Sequence, residues 1–384
     1  MTSKHPFRLL YFVGFIFSIQ YGLVLYINSS FLEQVIPEKI VGLVFTLASF
    51  LSILFLLEIP RILSRLGNYK TAIILVLCSS ISLFSLSIAH SALSTVIAFL
   101  FYTVANYSLL LSLDVFIEEY ITSGKIGRTR GTFLGIRNLG ILISPSIAVL
   151  IVTKASFFGV YLSASLFTLT SLLFIFPHLK NFEDPIYRRI LVRETLKKVK
   201  QDISLKRIYL SEFLLCFFYS WMIIYMPIYL HQYIGFGWQN IGFIFTIMLI
   251  PFVLVDYPLG RLSDKIGEKK LLIFGFSMVS LSTIAIFFLK TQSIFIWALV
   301  LFATRVGAAV IEVMNESYFF KKIMAEDAGL ISFFRNMFPF AFIVAPLFAI
   351  PVLFLVPSFK FLFLTLGTIM LLGFLSSLRL KDVK

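Results

Sequence analysis

Long apolar runs separated by short polar segments dominate this chain. Twelve runs approach the ~20 residues that an α-helix needs to cross a bilayer. They lie at 7–28, 39–60, 71–89, 93–117, 131–152, 157–177, 207–230, 239–259, 271–289, 294–317, 329–350 and 359–378. The runs lack the alternation of a barrel strand, and only helices or closed barrels satisfy backbone groups in hydrocarbon. The pattern therefore predicts an all-α polytopic membrane protein with twelve transmembrane helices.

Polar residues in and beside these runs recur once, at an offset of 198 residues. The recurring pairs are Glu58 and Asp256, Pro60 and Pro258, Asp114 and Glu312, Glu118 and Glu316, Tyr120 and Tyr318, and Arg137 and Arg335. Several matches in one register indicate two pseudo-symmetric six-helix bundles. We expect the bundles to be residues 1–177 and 207–384, joined by a polar linker at 178–206.

Composition identifies lipid as the main solvent of the chain. Hydrophobic residues make up 59% of it, charged residues only 14%, and the mean hydropathy is +0.97. A soluble protein of this length could not bury so much apolar surface. Cys78 and Cys216 both lie inside apolar runs, so neither a disulfide framework nor a metal site is indicated.

The distribution of basic residues predicts the orientation. Of the 33 Lys and Arg residues, 26 fall on one side of the predicted membrane and only Lys39, Lys154, Lys290 and Lys360 on the other. By the positive-inside rule, both termini and the linker are cytoplasmic in an integral protein of the plasma (inner) membrane. The net charge of +14 then reflects orientation and contact with anionic membrane lipid, and we expect no nucleic-acid partner.

The linker 178–206 is the longest polar segment. Between Ile186 and Gln201 it alternates apolar and basic residues at helical spacing, which predicts an amphipathic helix on the cytoplasmic leaflet. Tethering of the two bundles and a regulatory or partner-binding role both remain open for it.

A charged turn between the eighth and ninth runs reads Gly-Arg-Leu-Ser-Asp-Lys-Ile-Gly-Glu-Lys-Lys from Gly260 to Lys270. With the twelve runs, the repeat and the linker, it resembles the major facilitator superfamily (MFS) of secondary transporters. That family's signature turn is Gly-x-x-x-Asp-Arg/Lys-x-Gly-Arg/Lys-Arg/Lys. The matching residues here are Gly260, Asp264, Lys265, Gly267, Lys269 and Lys270, and Arg261 adds a further base. The resemblance covers essentially the whole chain and implies the MFS fold.

The resemblance also implies that this turn is a cytoplasmic gate that latches the end of the fifth span, near Gly131. The corresponding turn of the first half departs from the family, with Pro60 in place of Gly260 and Ser64 in place of Asp264. Glu268 departs in the second half, where the family has a base. We therefore expect the latching contact mainly in the second half of the chain. The alternative is that the turn is an ordinary solvated loop.

Arg305 is the deepest predicted charge, roughly 18 Å into the tenth run at 1.5 Å per residue. Spacings of 7 and 4 put Glu312 and Glu316 on its stripe of the helix,. In the resembling family the first, fourth, seventh and tenth spans line the substrate cavity. The polar residues of those spans are Gln20, Tyr21, Tyr102, Asn106, Tyr219, Trp221, Arg305 and Glu312. Arg305 either binds an anionic group of a solute, or is neutralised by Glu312 or Glu212 and holds helices together.

A second set of charges near the cytoplasmic ends forms a predicted network. Its members are Glu58, Asp114, Glu118, Arg137, Asp256, Glu316 and Arg335. Because an unpaired charge in a span is costly, we expect pairing within each half, either as fixed structure or as a gate. Asp114, Glu312 and Glu316 are candidate carriers of H⁺ as the coupling ion; Na⁺ is equally open.

The residues and the resemblance together predict a secondary active transporter that moves a small solute by alternating access, with ion coupling. A non-transporting membrane scaffold or receptor is the alternative. An enzyme is not expected, because the chain has no Walker turn, no metal or acid–base histidine cluster and no nucleophile–base pair. We expect a monomer with no metal and no cofactor.

Overall fold

The computed structural model describes residues 6–120, 126–187, 192–254, 259, 262, 266–322, 328–356 and 358–381. Every regular element in these residues is helical. Five residues of the predicted sites, Asp256, Gly260, Arg261, Asp264 and Lys265, lie outside the described residues, as does the side chain of Glu118.

The described residues of the first half form six helices. They are α1 (Pro6–Leu25), α2 (Asn28–Glu33), α3 (Glu38–Leu66), α4 (Asn68–Ser87), α5 (Ala92–Tyr120) and α6 (Ile126–His178). The last of these is broken at Ala155 and Ser156, where φ of Ser156 is 56°. Helix α6 therefore contains two apolar segments, which correspond to the fifth and sixth predicted runs.

In the described residues of the second half, the linker helix is followed by seven more helices. They are α7 (Val192–Gln201), α8 (Ile203–Ile228) with a π-helical turn (Tyr229–Tyr233), α9 (Trp238–Leu254), α10 (Glu268–Phe288), α11 (Ile294–Lys322), α12 (Ala328–Arg335), α13 (Met337–Leu355) and α14 (Phe361–Leu378). Asp202 caps α8, because its Oδ1 accepts from the N–H groups of Ser204 at 2.8 Å and Leu205 at 3.1 Å,.

Ten helical segments of the described residues are long and apolar enough to cross a membrane. One of them, Gly135–Ile175, contains the break in α6, and the 17-residue α9 is a further, shorter apolar helix. Counting both parts of α6 and α9, the described residues contain an apolar helix for each of the twelve predicted runs.

The chain divides into two compact units, residues 1–189 and 190–384. The linker is shared between them. Its first part packs on unit 1, where Phe182 meets Phe116 edge-on at 4.7 Å between ring centroids. Its helix α7 packs on α8 and α12 of unit 2, burying Thr195 and Val199.

Equivalent contacts occur inside both units. In unit 1 the Ser80 hydroxyl donates to the Ser165 carbonyl at 3.1 Å. In unit 2 the Ser280 hydroxyl donates to the Gly367 carbonyl at 2.7 Å. Gly67 and Gly267 precede α4 and α10 with φ of 78° and 86°, a region that favours glycine. The repeat read from polar residues thus extends to backbone conformation and helix crossings.

Candidate functional site

Arg305 is a buried cation that has no carboxylate partner among the described residues. It lies near the middle of α11 and is 1% exposed. Its guanidinium carbon is 5.0 Å from the Phe218 ring centroid and 5.7 Å from that of Tyr219, which gives it cation–π stabilisation. Its Nε and Nη1 are buried without a hydrogen-bond partner. Among the described residues Arg305 makes no ion pair.

The two acids that could have neutralised Arg305 contact other groups. The Tyr219 hydroxyl donates to Glu312 Oε2 at 2.7 Å. The Asn315 amide donates to Glu212 Oε2 at 2.9 Å. These contacts leave the cation without either predicted neutralising partner in this arrangement.

The Glu212 contact belongs to a buried polar chain that the sequence pattern did not indicate as a site. Asn315 is fully buried, and its Oδ1 accepts from the Ser211 hydroxyl at 2.6 Å. The signal that could have found it is an amide inside an apolar run, three residues after Glu312. The chain joins α8 to α11 within unit 2.

Trp221 serves packing in this structure. The side chain is 1% exposed, and its indole N–H donates to the Ala345 carbonyl of α13 at 2.6 Å. With its one polar group bonded to backbone, it has no donor left for a solute.

Unit 1 presents neutral polar groups at the positions predicted to line the cavity. The Gln20 amide donates to Asn106 Oδ1 at 2.8 Å and joins α1 to α5. Gln20 Oε1 and the Tyr102 hydroxyl are buried without a hydrogen-bond partner, and Tyr102 is one helical turn from Asn106. Tyr21, half-buried on α1, stacks on Phe17.

The structure describes some members of the predicted charge network. Arg335 pairs with Glu316 at 2.5 Å within unit 2. Glu58 instead pairs with Arg61 on the exposed side of its own helix. Asp114 is exposed on α5. The guanidinium of Arg137 lies 5.8 Å from the Phe17 ring centroid and 5.6 Å from that of Phe133.

Glu268, the residue of the signature turn that departs from the family pattern, anchors the described end of that turn. Glu268 is 1% exposed, and its Oε1 accepts from Lys321 at 2.7 Å and from the Ser317 hydroxyl at 3.2 Å. It therefore ties the start of α10 to the end of α11. Lys269 is half-buried and Lys270 exposed.

The corresponding turn of unit 1 receives a carboxylate from the linker. Asp184 Oδ1 accepts from the Asn68 N–H at 2.7 Å and from the Tyr187 hydroxyl at 2.6 Å. A Cβ on Gly67 would lie 2.6 Å from Asp184 Oδ2. An acid therefore sits at the N-terminus of α4, where the helix dipole favours it, in the half whose own turn carries Ser64.

The chain is similar to a known protein family in sequence and to solved structures in fold. The family model described as Major Facilitator Superfamily matches residues 10–311 and 208–383. The crystal structure of nucleoside transporter NupG has a TM-score of 0.78 at 15% identity, covering 98% of this chain and all of that one. A NupG mutant gives 0.77 at 14% identity, covering 97% and 99%. No curated protein matches in sequence.

At such identities the likeness to NupG shows the fold alone, and it confirms the predicted fold class of two six-helix bundles. The family match extends over most of the residues. The chain belongs to the Major Facilitator Superfamily and is an integral membrane protein with the fold of a membrane transporter.

Proposed function

We propose that the protein is a secondary active transporter that moves a small solute with an anionic group by alternating access. The observation that supports this most is Arg305, which is buried against the rings of Phe218 and Tyr219 and has no carboxylate partner in the described part of the chain. An uncompensated charge within a span is costly and marks a functional site by default. Two unbonded N–H groups add to that cost. A carboxylate or phosphate on the solute would relieve both.

The coupling and orientation belong to the same proposal. Asp114, Glu312 and Glu316 are the candidate H⁺ carriers, and the Glu316–Arg335 pair is the candidate gate. The distribution of basic residues supports cytoplasmic termini and a plasma-membrane location. We propose a monomer as the working unit. In the first half of the signature turn, the proposed latch still consists of Gly260, Arg261, Asp264 and Lys265.

A neutral nucleoside is the second candidate solute. The structural neighbours are nucleoside transporters, and unit 1 offers Gln20 Oε1 and the Tyr102 hydroxyl as unbonded groups. Hydroxyl and amide groups of a nucleoside are suitable partners for them.

Transport into vesicles containing the purified protein tests the proposal. The panel is a set of carboxylates, a set of phosphate esters and a set of neutral nucleosides. We expect flux of an anionic solute, and we expect Arg305→Ala to lower this flux at least tenfold. Arg305→Lys should retain part of the flux, because the lysine ammonium keeps the charge but lacks the planar set of N–H donors of the guanidinium. Arg207→Gln is the matched control, since Arg207 donates to the backbone carbonyl of Arg379 and makes no ion pair among the described residues.

The results separate the candidates. Anion flux that survives Arg305→Ala would remove Arg305 from the solute site. Flux of nucleosides alone would favour the second candidate. Absence of flux for every solute, with a folded protein, would favour the scaffold or receptor.

A further inference from the structure

We propose that α7 carries a binding site for anionic phospholipid head groups, formed by Arg193, Lys197 and Lys200. The spacings of four and three residues place these bases on one face of the helix. All three side chains are exposed. Within the described part of the chain none of them makes an ion pair. Three unpaired cations along one stripe form a surface suited to phosphate groups.

The rotation of α7 is set by its packing. Thr195 and Val199, on another face, are buried against unit 2, 4% and 8% exposed. The basic stripe is therefore directed away from the protein. Leu196 lies between the two faces, about 60° from the stripe at 100° per residue, and it is 38% exposed. An apolar side chain beside a row of bases is the arrangement of a helix lying at a membrane interface.

The position of α7 beside the ends of α8 and α11 is also fixed by contacts. Asp202 follows it directly, caps α8, and pairs with Lys322 at 3.0 Å between Nζ and Oδ2. Lys322 is the last residue of α11, a membrane-spanning helix. Ile203, one residue after Asp202, is 59% exposed at the start of the next span. The stripe is thus held beside the ends of two spans, within reach of lipid head groups.

Lipid fits this surface better than an acidic protein does. Long basic side chains can extend to phosphate groups while their stems and Leu196 contact acyl chains. The positive-inside rule assigns this side to the cytoplasmic leaflet, whose surface is negative. The site binds head-group phosphate of membrane lipid, and it does not depend on which solute the transporter carries.

Native mass spectrometry of the full-length protein, titrated with phosphatidylglycerol or phosphatidylcholine, tests the site. We expect R193Q/K197Q/K200Q to lower phosphatidylglycerol affinity by about fivefold for each base removed, with no change for phosphatidylcholine. The matched control K39Q/K154Q/K290Q removes the same charge from the opposite membrane side and should keep wild-type affinity. Thermal unfolding in vesicles with and without phosphatidylglycerol should follow the same order.

Two results would overturn the proposal. Unchanged phosphatidylglycerol affinity in R193Q/K197Q/K200Q would exclude the lipid site and favour an acidic protein on this stripe. Equal loss in the control would mean that only net charge matters. If the triple variant does not fold, the exposed single substitution Lys197→Glu decides the same question, and again unchanged affinity would exclude the site.

Discussion

At the scale of single residues, Gly67 is the most constrained position of the unit 1 turn. Its φ of 78° is strained for other residues, and a Cβ would lie 2.6 Å from Asp184 Oδ2. We expect Gly67→Ala to destabilise the protein by about 1–3 kcal/mol, measured as thermal unfolding in detergent. The control is Gly135→Ala, because a Cβ on this helical glycine meets nothing within 4 Å.

The two causes of that loss can be separated. In an Asp184→Ala background the contact is gone while the φ strain remains, so Gly67→Ala should cost less than in the wild type. An equal loss of stability in both backgrounds would show that contact with the Asp184 carboxylate contributes nothing to the effect of Gly67→Ala.

Single residues also show the limits of prediction from sequence. Counting residues along the tenth run put Arg305 well inside it, and the residue lies near the middle of α11. Helical periodicity could not tell which neighbour each acid contacts. Glu312 shares a stripe with Arg305 yet bonds Tyr219 of α8, a choice that depends on helix packing and side-chain rotamers. Asp184 is 116 residues from its partner Asn68, so no local pattern predicts the contact.

At the scale of elements, the α7–α8 junction should respond to acid through Asp202. Burial raises the pKa of Asp202, but hydrogen bonds from the Leu205 N–H, Lys322 and the Ser204 N–H bring it below its ordinary value. A lowered folded-state pKa stabilises the protein above the unfolded-state pKa, near 3.8, and this stabilisation is lost as pH falls through the folded value. We expect the protein to lose this contribution below about pH 4.

Two substitutions distinguish the charge from the cap. Asp202→Ala should cost about 0.5–2 kcal/mol at neutral pH, since the α8 cap is lost. Asp202→Asn keeps a capping oxygen and should cost less, while removing this residue's part of the acid dependence of thermal unfolding. Glu183→Gln, at an exposed linker acid, is the control. An acid profile of Asp202→Asn identical to that of the wild type would contradict the assignment.

The crossing of α10 and α11 supplies a second prediction for elements. A Cβ on Gly307 would meet the Gly275 carbonyl at 2.7 Å and the Val279 nitrogen at 2.9 Å. Both are backbone atoms, so the helices would have to separate, which close packing through small residues avoids. We expect Gly307→Ala to lower the unfolding temperature clearly, whereas Gly135→Ala should not. An unchanged temperature would mean that this crossing tolerates separation.

Element boundaries followed the apolar pattern except where backbone chemistry intervened. The eleventh run was predicted as one helix, but α12 ends at Arg335 and α13 begins at Met337. Pro339 has no N–H to donate to the Arg335 carbonyl, so the helical ladder is interrupted there. The break at Ser156, by contrast, follows the gap between the fifth and sixth predicted runs.

At the scale of the whole molecule, the two units share a fold, and the described residues of each make their own polar contacts between helices. Unit 1 joins α1 to α5 through the neutral Gln20–Asn106 bond. Unit 2 uses the ion pairs Glu316–Arg335 and Glu268–Lys321. The repeat made the shared fold predictable, because matched polar positions mark equivalent helices. Glu316 and Arg335 correspond to Glu118 and Arg137 of unit 1, whereas Asn68 stands in the place of Glu268.

The Glu316–Arg335 pair is the described contact at which we expect the balance between inward-facing and outward-facing states to be set. Arg335→Gln removes one side of the Glu316 pair, whose side chains are 44% and 32% exposed. Such a pair is worth up to about 1 kcal/mol, or roughly fivefold in an equilibrium. The readout is the labelling rate of a single cysteine introduced on the cytoplasmic side, with Cys78 and Cys216 replaced by alanine.

Further variants distinguish loss of the Glu316–Arg335 pair from loss of a charge alone. Arg335→Gln and Glu316→Gln should shift the labelling rate in the same direction, by severalfold, and the exchange E316R/R335E should restore it because the attraction is rebuilt. Arg61→Gln, which breaks the exposed pair with Glu58 inside α3, should leave the rate unchanged. If all four variants label at the wild-type rate, the Glu316–Arg335 pair is a fixed contact within unit 2 and does not gate transport.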